Sequence, residues 1–322
     1  MISDKYSLWS ALSSQPNTGH TVLTPNNRGL AYGDGFFTTM AVIDGTILWL
    51  DYHQQRLISH AQALQLDIDS DKLLIELQAQ AQQLQQGMLK LIITRAEQAL
   101  RGYAFRTSES GSACEIWLKA TSMTKVITEQ LSLPDGRSLL IQLMTQACCL
   151  TSQLACLPST LAGLKSLNRL DNVLASGELQ TLKNTRVVAN GDAIGEGLLR
   201  DMTGSWVEGT MSNVFYQLTE AAVADRAQTY CSVVNDKHDR AKPCDYLTTG
   251  QWYTPSMSQS GVAGVMRQVI IDALTVTTTP VIIRPLTDND LPQLSQLFFC
   301  NAVRGVMPVS ALTLLSGEVI SF

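Results

Sequence analysis

The sequence predicts an α+β protein of two domains, and three observations carry that expectation. The chain has 322 residues, of which 45% are hydrophobic and 16% charged, enough for two ordinary cores at about 100–200 residues per domain. Strand-like alternation and helical periodicity both occur, with no internal repeat at a fixed period. A polar stretch over 121–137 that holds Pro134, Asp135 and Gly136 interrupts the pattern. The expected division is therefore an N-terminal α/β domain over 1–125 and a C-terminal domain over 126–322.

The elements follow in order. GDGFFTTMAVID and TILWL read as two strands joined at a DG turn, a hairpin signature. Over 51–66 the apolar residues Leu57, Ile58, Ala61 and Leu64 recur at helical spacing, and over 72–86 Leu73, Leu74, Leu77 and Leu84 do the same. Gly87 is expected to close the second helix as its C-terminal cap. MLKLIITRA and CEIWLKATSM are apolar runs that predict buried strands. The second domain restarts with a strand in SLLIQLMT, followed by a loop and a helix over 166–182. Strands are expected around 187–188, 205–207 and 214–218. The span 219–250, with NDKHDRAKPCD at its middle, reads as a surface excursion, since a charged stretch with a proline cannot bury its backbone. A helix over 265–274, a strand in PVIIRPL, a short helix over 291–296 and terminal strands complete the chain.

Composition excludes several functions. Twenty-three Lys and Arg stand against 28 Asp and Glu, a net charge of −5, which is no footprint for a polyphosphate partner, so nucleic acid is not expected. Asp4 and Lys5 sit where a leader would need apolar residues, and no apolar run approaches the ~18 residues of a membrane span. A cytoplasmic protein without a membrane partner is expected. Seven cysteines, an odd number without a CxxC pair, argue against a disulfide framework and a structural zinc site. The adjacent Cys148 and Cys149 read as buried apolar residues. The histidines His20, His53, His60 and His238 lack a close ligand spacing, so no metal is expected.

Chemistry is expected in a few segments. In LAGLKSLNRLDNVLA, Lys165 stands after a small-residue bend and before a leucine-rich helix. It reads either as a solvated helix-start lysine or, in an apolar setting, as a nucleophilic amine and proton carrier. WVEGTMSNVF places Glu208 between a strand and a turn, either as a turn residue or as a buried carboxylate. YTPSMSQSGVAGVMRQVI reads as strand, glycine turn and helix start, where the backbone N–H groups of Gly264, Val265 and Met266 converge as they would on an anion.

Six motifs stand in one order: NRGLAYGDGFFTTM, HQQRL, LKSLNRL, VEGTMSN, GVAGVMR and CNAVRGVMPV. Over residues 27–309 the chain resembles the fold type IV pyridoxal-phosphate enzymes, which include branched-chain and D-amino-acid aminotransferases and aminodeoxychorismate lyase. The resemblance implies pyridoxal 5'-phosphate as cofactor and a two-domain, aminotransferase class IV-like fold. It makes Lys165 the lysine that carries the cofactor and moves the substrate proton, and Glu208 the partner of the pyridine nitrogen. Arg56 of HQQRL, by itself as readily a surface helix arginine, would grip the phosphate, with the amides of Val265 and Met266 and with Asn301. Fold type IV relatives are usually homodimers, so a homodimer is expected.

Within that family the branched-chain aminotransferases place a tyrosine a few residues after the lysine, and KSLNRL has none. KSLN also occurs in D-amino-acid aminotransferases. LAGLKSLNRLDNVLA, the RGY of Arg101–Tyr103 and the form of CNAVRGVMPV favour the lyases, whose substrate, 4-amino-4-deoxychorismate, is a cyclic amine with two carboxylates. Arg101, Tyr103 and Arg169 are the candidates to bind it, although Arg101 reads equally as a loop arginine. The implied reaction is elimination to 4-aminobenzoate and pyruvate, a step toward folate. The alternatives are a D-amino-acid or branched-chain-type aminotransferase, and a non-catalytic protein that has kept the fold.

Overall fold

The structure, a computed structural model, describes residues 7–9, 23–123, 129–185, 193–219 and 247–322. They fall into two units, Met1–Val126 with Pro158–Arg169, and Ile127–Leu157 with Leu170–Phe322.

The first unit contains β1 (Ser7–Trp9), α1 (Arg28–Tyr32), β2 (Gly35–Ile43), β3 (Thr46–Ile47), α2 (Leu50–Ala63), α3 (Ser70–Leu84), β4 (Gly87–Arg95) and β5 (Cys114–Ser122). Its strands are all antiparallel, in the order β1-β5-β4-β2-β3. The expected DG hairpin joins β2 to β3, with Asp44 at φ 49° and Gly45 at φ 72°, the positive pair that matches strand twist. Helices α2 and α3 bury Leu57, Ala61, Leu73, Leu77, Ala81 and Leu84 with Phe36, Met40, Leu89, Leu91 and Ile93 of the sheet. Asp69 caps α3 by accepting from the Lys72 N–H at 3.0 Å.

Gly87 does not cap α3. The helix ends at Leu84 with Gln85 at φ 61° beyond it, and Gly87 is the first residue of β4. A Cβ at Gly87 would lie far inside contact distance of the Thr121 carbonyl oxygen, so only glycine lets β4 and β5 close there.

The lysine segment corrects a second expectation. It belongs to the first unit, whereas the division at 125/126 would have placed Lys165 in the C-terminal domain. The segment runs beside the start of β2: the Phe37 N–H donates to the Lys165 carbonyl, and the Leu167 N–H to the Gly35 carbonyl, both at 3.0 Å. Because those backbone groups are engaged by β2, the helix expected from 166 cannot start there. It begins at Leu170.

The second unit contains β6 (Glu129–Ser132), β7 (Ser138–Ile141), β8 (Thr145–Leu154), α4 (Leu170–Thr185), β9 (Ile194–Asp201), β10 (Trp206–Gly209), β11 (Asn213–Leu218), β12 (Tyr253–Thr254), α5 (Val265–Leu274), β13 (Ile282–Ile283), β14 (Leu294–Asn301), β15 (Gly305–Thr313) and β16 (Val319–Ser321). Strands β8, β9, β10, β11, β14 and β15 pair in a closed circuit, parallel at β8 to β9 and at β15 to β8, antiparallel elsewhere. The loop expected after SLLIQLMT is β8, paired on both edges and buried on both faces along Ala147, Cys148, Cys149 and Leu150. Alternation along it sends Cys149 to a core with Leu198, Trp206, Val214, Phe299 and Met307. Cys148 faces the other way, toward Ala175 and Leu179 of α4.

Helix α5 has the expected bounds. The strand expected in PVIIRPL is only two residues long, and the helix expected over 291–296 is a single 3-10 turn, Leu291–Gln293, before β14. The strand expected at 187–188 and most of the 219–250 excursion lie outside the described residues. Among the described residues no helix is long and apolar enough to cross a membrane.

Candidate active site

In the first unit the chemistry gathers on α2. His53, Arg56 and His60 stand at helical spacing on one face, all buried. Thr38, fully buried on β2, hydrogen-bonds His53 Nδ1 through its hydroxyl at 2.8 Å and accepts from Arg56 Nη1 at 3.5 Å. Burial, then the cations of Arg56 and Lys165, push His53 down to about 3, so the ring is neutral. Its buried Nε2 has no hydrogen-bond partner among the described residues. Burial also lowers Arg56 to about 10, and it remains a cation at neutral pH.

Lys165 is half-buried. Its Nζ lies 4.7 Å from the centre of the Phe37 ring, a cation–π placement. Its N–H donates to His60 Nε2 at 2.9 Å. Burial, then Arg56, Lys165 and Arg169, push His60 down to about 3. Arg169, expected at the substrate, gives an Nη2 hydrogen bond to the Leu164 carbonyl in the lysine's own loop.

Arg101 and Tyr103 lie in an exposed loop of the same unit. The buried Arg28 fixes that loop: Nη1 donates to the Gly102 and Ala104 carbonyls at 3.4 and 3.3 Å, and Nη2 to the Tyr103 carbonyl at 3.3 Å. Asp34 bridges Arg28 Nε at 2.8 Å and Arg95 Nε at 2.9 Å. The Tyr103 ring stands edge-on to Tyr32 at 5.2 Å.

In the second unit Glu208 is buried on β10. Its Oε2 accepts from the Val262 N–H at 2.8 Å and from Asn213 Nδ2 at 3.4 Å. Asn213 also donates to the Val262 carbonyl at 2.8 Å, and a Cβ at Gly264 would collide with its Oδ1. Asn213 thus ties Glu208 to the start of α5. That helix begins at Gly264 without a side-chain cap, so the amides of the buried Val265 and Met266 lead an uncapped helix start suited to an anion. Asn301 Oδ1 accepts from the Val303 and Arg304 N–H groups at 3.1 and 2.8 Å, which caps the turn between β14 and β15.

Sequence reasoning missed His53, His60, Thr38, Asn213 and Glu196. The signal for the histidines was present: HQQRLISH places them three before and four after Arg56. Glu196, buried on β9, holds the turn after Glu208. Its Oε1 accepts from the N–H groups of Gly197 at 3.0 Å and Thr210 at 2.9 Å, and its Oε2 from the Ser212 hydroxyl at 2.7 Å.

Comparison with known proteins finds that the family model Amino-transferase class IV matches residues 35–312. A Methanocaldococcus jannaschii protein, assigned by inference as a branched-chain-amino-acid aminotransferase, is 25% identical over 290 residues, 88% of this chain and 80% of that protein. Aminodeoxychorismate lyase of Vibrio harveyi is 26% identical over 153 residues, 48% of this chain and 42% of that protein. The crystal structure of 4-amino-4-deoxychorismate lyase from Pseudomonas aeruginosa superposes with a TM-score of 0.68 at 29% identity, covering 91% of this chain and 88% of that one.

Proposed function

The chain belongs to the amino-transferase class IV family, whose members are pyridoxal-phosphate enzymes of fold type IV, and from that premise we propose that it is a 4-amino-4-deoxychorismate lyase. The observation that carries this reading is its likeness to the Pseudomonas aeruginosa lyase along nine-tenths of the chain, 91%. The segment after Lys165 supports it, since KSLNRL lacks the tyrosine of branched-chain aminotransferases.

The residues present fit the cofactor. A buried arginine beside a histidine nitrogen without a partner suits a phosphate, as does the uncapped start of α5. Pyridoxal phosphate, when bound, supplies an electron sink for the pair released when a C–H bond breaks beside the amine.

The chain supplies the rest. By the resemblance, Arg56, the amides of Val265 and Met266, and Asn301 would hold the phosphate. Glu208, kept in place by the Val262 N–H, would keep the pyridine nitrogen protonated. Lys165 would hold the cofactor through its ε-amine and, once free, would take the proton from the amine-bearing ring carbon of the substrate. Loss of that proton would let the carbon–oxygen bond to the three-carbon side group break and the ring become aromatic, and Lys165 would return the proton to the methylene carbon of the departing enolate, giving pyruvate. Arg101, Tyr103 and Arg169 provide the cationic and hydrogen-bonding groups for the two carboxylates. The reading includes a cytoplasmic homodimer acting in a step toward folate.

The test is a coupled assay in which the purified protein meets chorismate, an amine source and an aminodeoxychorismate synthase. Formation of 4-aminobenzoate and pyruvate only in its presence is expected. If neither forms while D-alanine or another amino acid converts bound cofactor to its pyridoxamine form, the protein is an aminotransferase.

A further inference from the structure

Lys165 is pinned on both sides of its Cα. On one side the Leu164–Lys165 peptide has its carbonyl bonded by Arg169 and its N–H bonded to His60 Nε2 at 2.9 Å. On the other, the Lys165 carbonyl accepts the Phe37 N–H at 3.0 Å. The side chain then reaches over the Phe37 ring.

The His60 contact has a direction. A backbone N–H can only donate, so Nε2 presents its lone pair. With burial and three neighbouring cations holding the ring neutral, its one proton sits on Nδ1, which lies 3.2 Å from the Ser59 hydroxyl. Ser59 Oγ in turn donates to the Arg56 carbonyl at 3.2 Å. The bonds run one way: Lys165 N–H to His60, His60 to Ser59, Ser59 to the backbone of Arg56. Phe36 stands against the ring at 5.3 Å and 61°, which fixes its plane.

We propose that His60 is a positioning residue for Lys165: as the Nδ1–H tautomer it locks the lysine's peptide to the helix that carries Arg56, and so sets where the ε-amine stands over Phe37. It touches no reacting atom. The proposal rests on the reading of Lys165 as the reactive amine, but its geometry does not depend on which substrate is used. An imidazolium would have no lone pair for Lys165 and would add a fourth cation to Arg56, Lys165 and Arg169.

The first measurement needs no variant. In protein labelled with 15N-histidine, two-bond proton–nitrogen correlation between pH 5 and 8 is expected to show His60 with Nδ1 protonated and Nε2 bare. An Nε2–H ring or an imidazolium overturns the proposal. The second compares His60→Leu, which removes the acceptor, with His60→Gln, which keeps an oxygen near the Nε2 position. In His60→Leu, kcat is expected to fall about tenfold while KM changes less than about threefold, because misplacing a reacting group costs rate rather than affinity. The pH midpoint of the visible absorption of the cofactor-loaded protein is expected to move by about half a unit, and His60→Gln to restore both. Wild-type kcat and midpoint in His60→Leu, or a Gln variant no better than the Leu one, overturns the proposal. A chain that takes up no pyridoxal phosphate refutes the reading of the function and, with it, the positioning role; cofactor uptake with an unaffected His60→Leu variant refutes the positioning role alone.

Discussion

Replacing Glu196 with alanine tests how the second unit supports Glu208. Glu196 is 1% exposed and is the shared acceptor of the 209–213 turn. The hydroxyls of Thr210 and Ser212 can rotate to other partners once the carboxylate is gone. The N–H groups of Gly197 and Thr210, at 3.0 and 2.9 Å from Oε1, cannot. Each buried donor left without an acceptor costs about 1–3 kcal/mol, or about 2–6 kcal/mol for the two. Glu196→Gln keeps a carbonyl oxygen toward both N–H groups and turns an amide toward Ser212, whose hydroxyl can accept instead. It loses only charge assistance, about 1–2 kcal/mol. The assay is urea unfolding followed by the fluorescence of Trp206 and Trp252, both buried in the second unit. An alanine variant within about 1 kcal/mol of wild type, or a glutamine variant as damaged as the alanine one, refutes the argument. Glu208 and Asn213 flank the same turn, so the alanine variant is also expected to retain less cofactor.

Other substitutions read the proposed roles directly. Lys165→Ala is expected to abolish turnover and the borohydride-reducible link to cofactor, and a variant that turns over at the wild-type rate removes Lys165 from the reaction. Glu208→Gln is expected to slow turnover by at least about a hundredfold with cofactor still bound, because the electron sink is weakened while the phosphate grip is untouched. Arg56→Ala is expected to weaken cofactor binding by about 10- to 100-fold, the loss of one charge-assisted contact of about 1.5–3 kcal/mol, and equilibrium titration with pyridoxal phosphate measures it. The buried histidines set a pH dependence. His53 and His60 sit at about 3 in the folded chain against an ordinary 6.5, so below about pH 6.5 the unfolded chain binds protons that the folded chain refuses. The stability they contribute is complete above that pH and is lost as pH falls toward 3, at up to about 1.4 kcal/mol per unit for each ring. Unfolding followed by the buried Trp117 of the first unit is expected to show a slope between pH 6 and 4 about one proton shallower in His53→Gln, and equal slopes would exclude this account.

Elements encoded by near neighbours were legible in the sequence. The β2–β3 hairpin follows from Asp44 and Gly45, and α5 follows from its periodicity and the glycine before it. The motifs around Arg56, Lys165 and Glu208 were legible as well, because their residue types are unusual for the positions they hold. Strand β8 was not, since its apolar run is only the four residues ACCL between Gln146 and Thr151, too short to carry a period. Gly87 reads as a helix cap by local rules, but the carbonyl of Thr121, distant in sequence, decides its place.

By itself the sequence therefore determined the α+β class, most element positions and the family motifs, all consequences of periodicity and of residue chemistry within a few positions. Only the tertiary structure decided which unit holds Lys165, that His53 and His60 are neutral, and that His60 bonds a peptide 105 positions away. The physical reason is range. Local sterics and helical spacing act between neighbours in the chain, whereas strand partners and the removal of water around a charged or titratable group depend on which distant segments pack together.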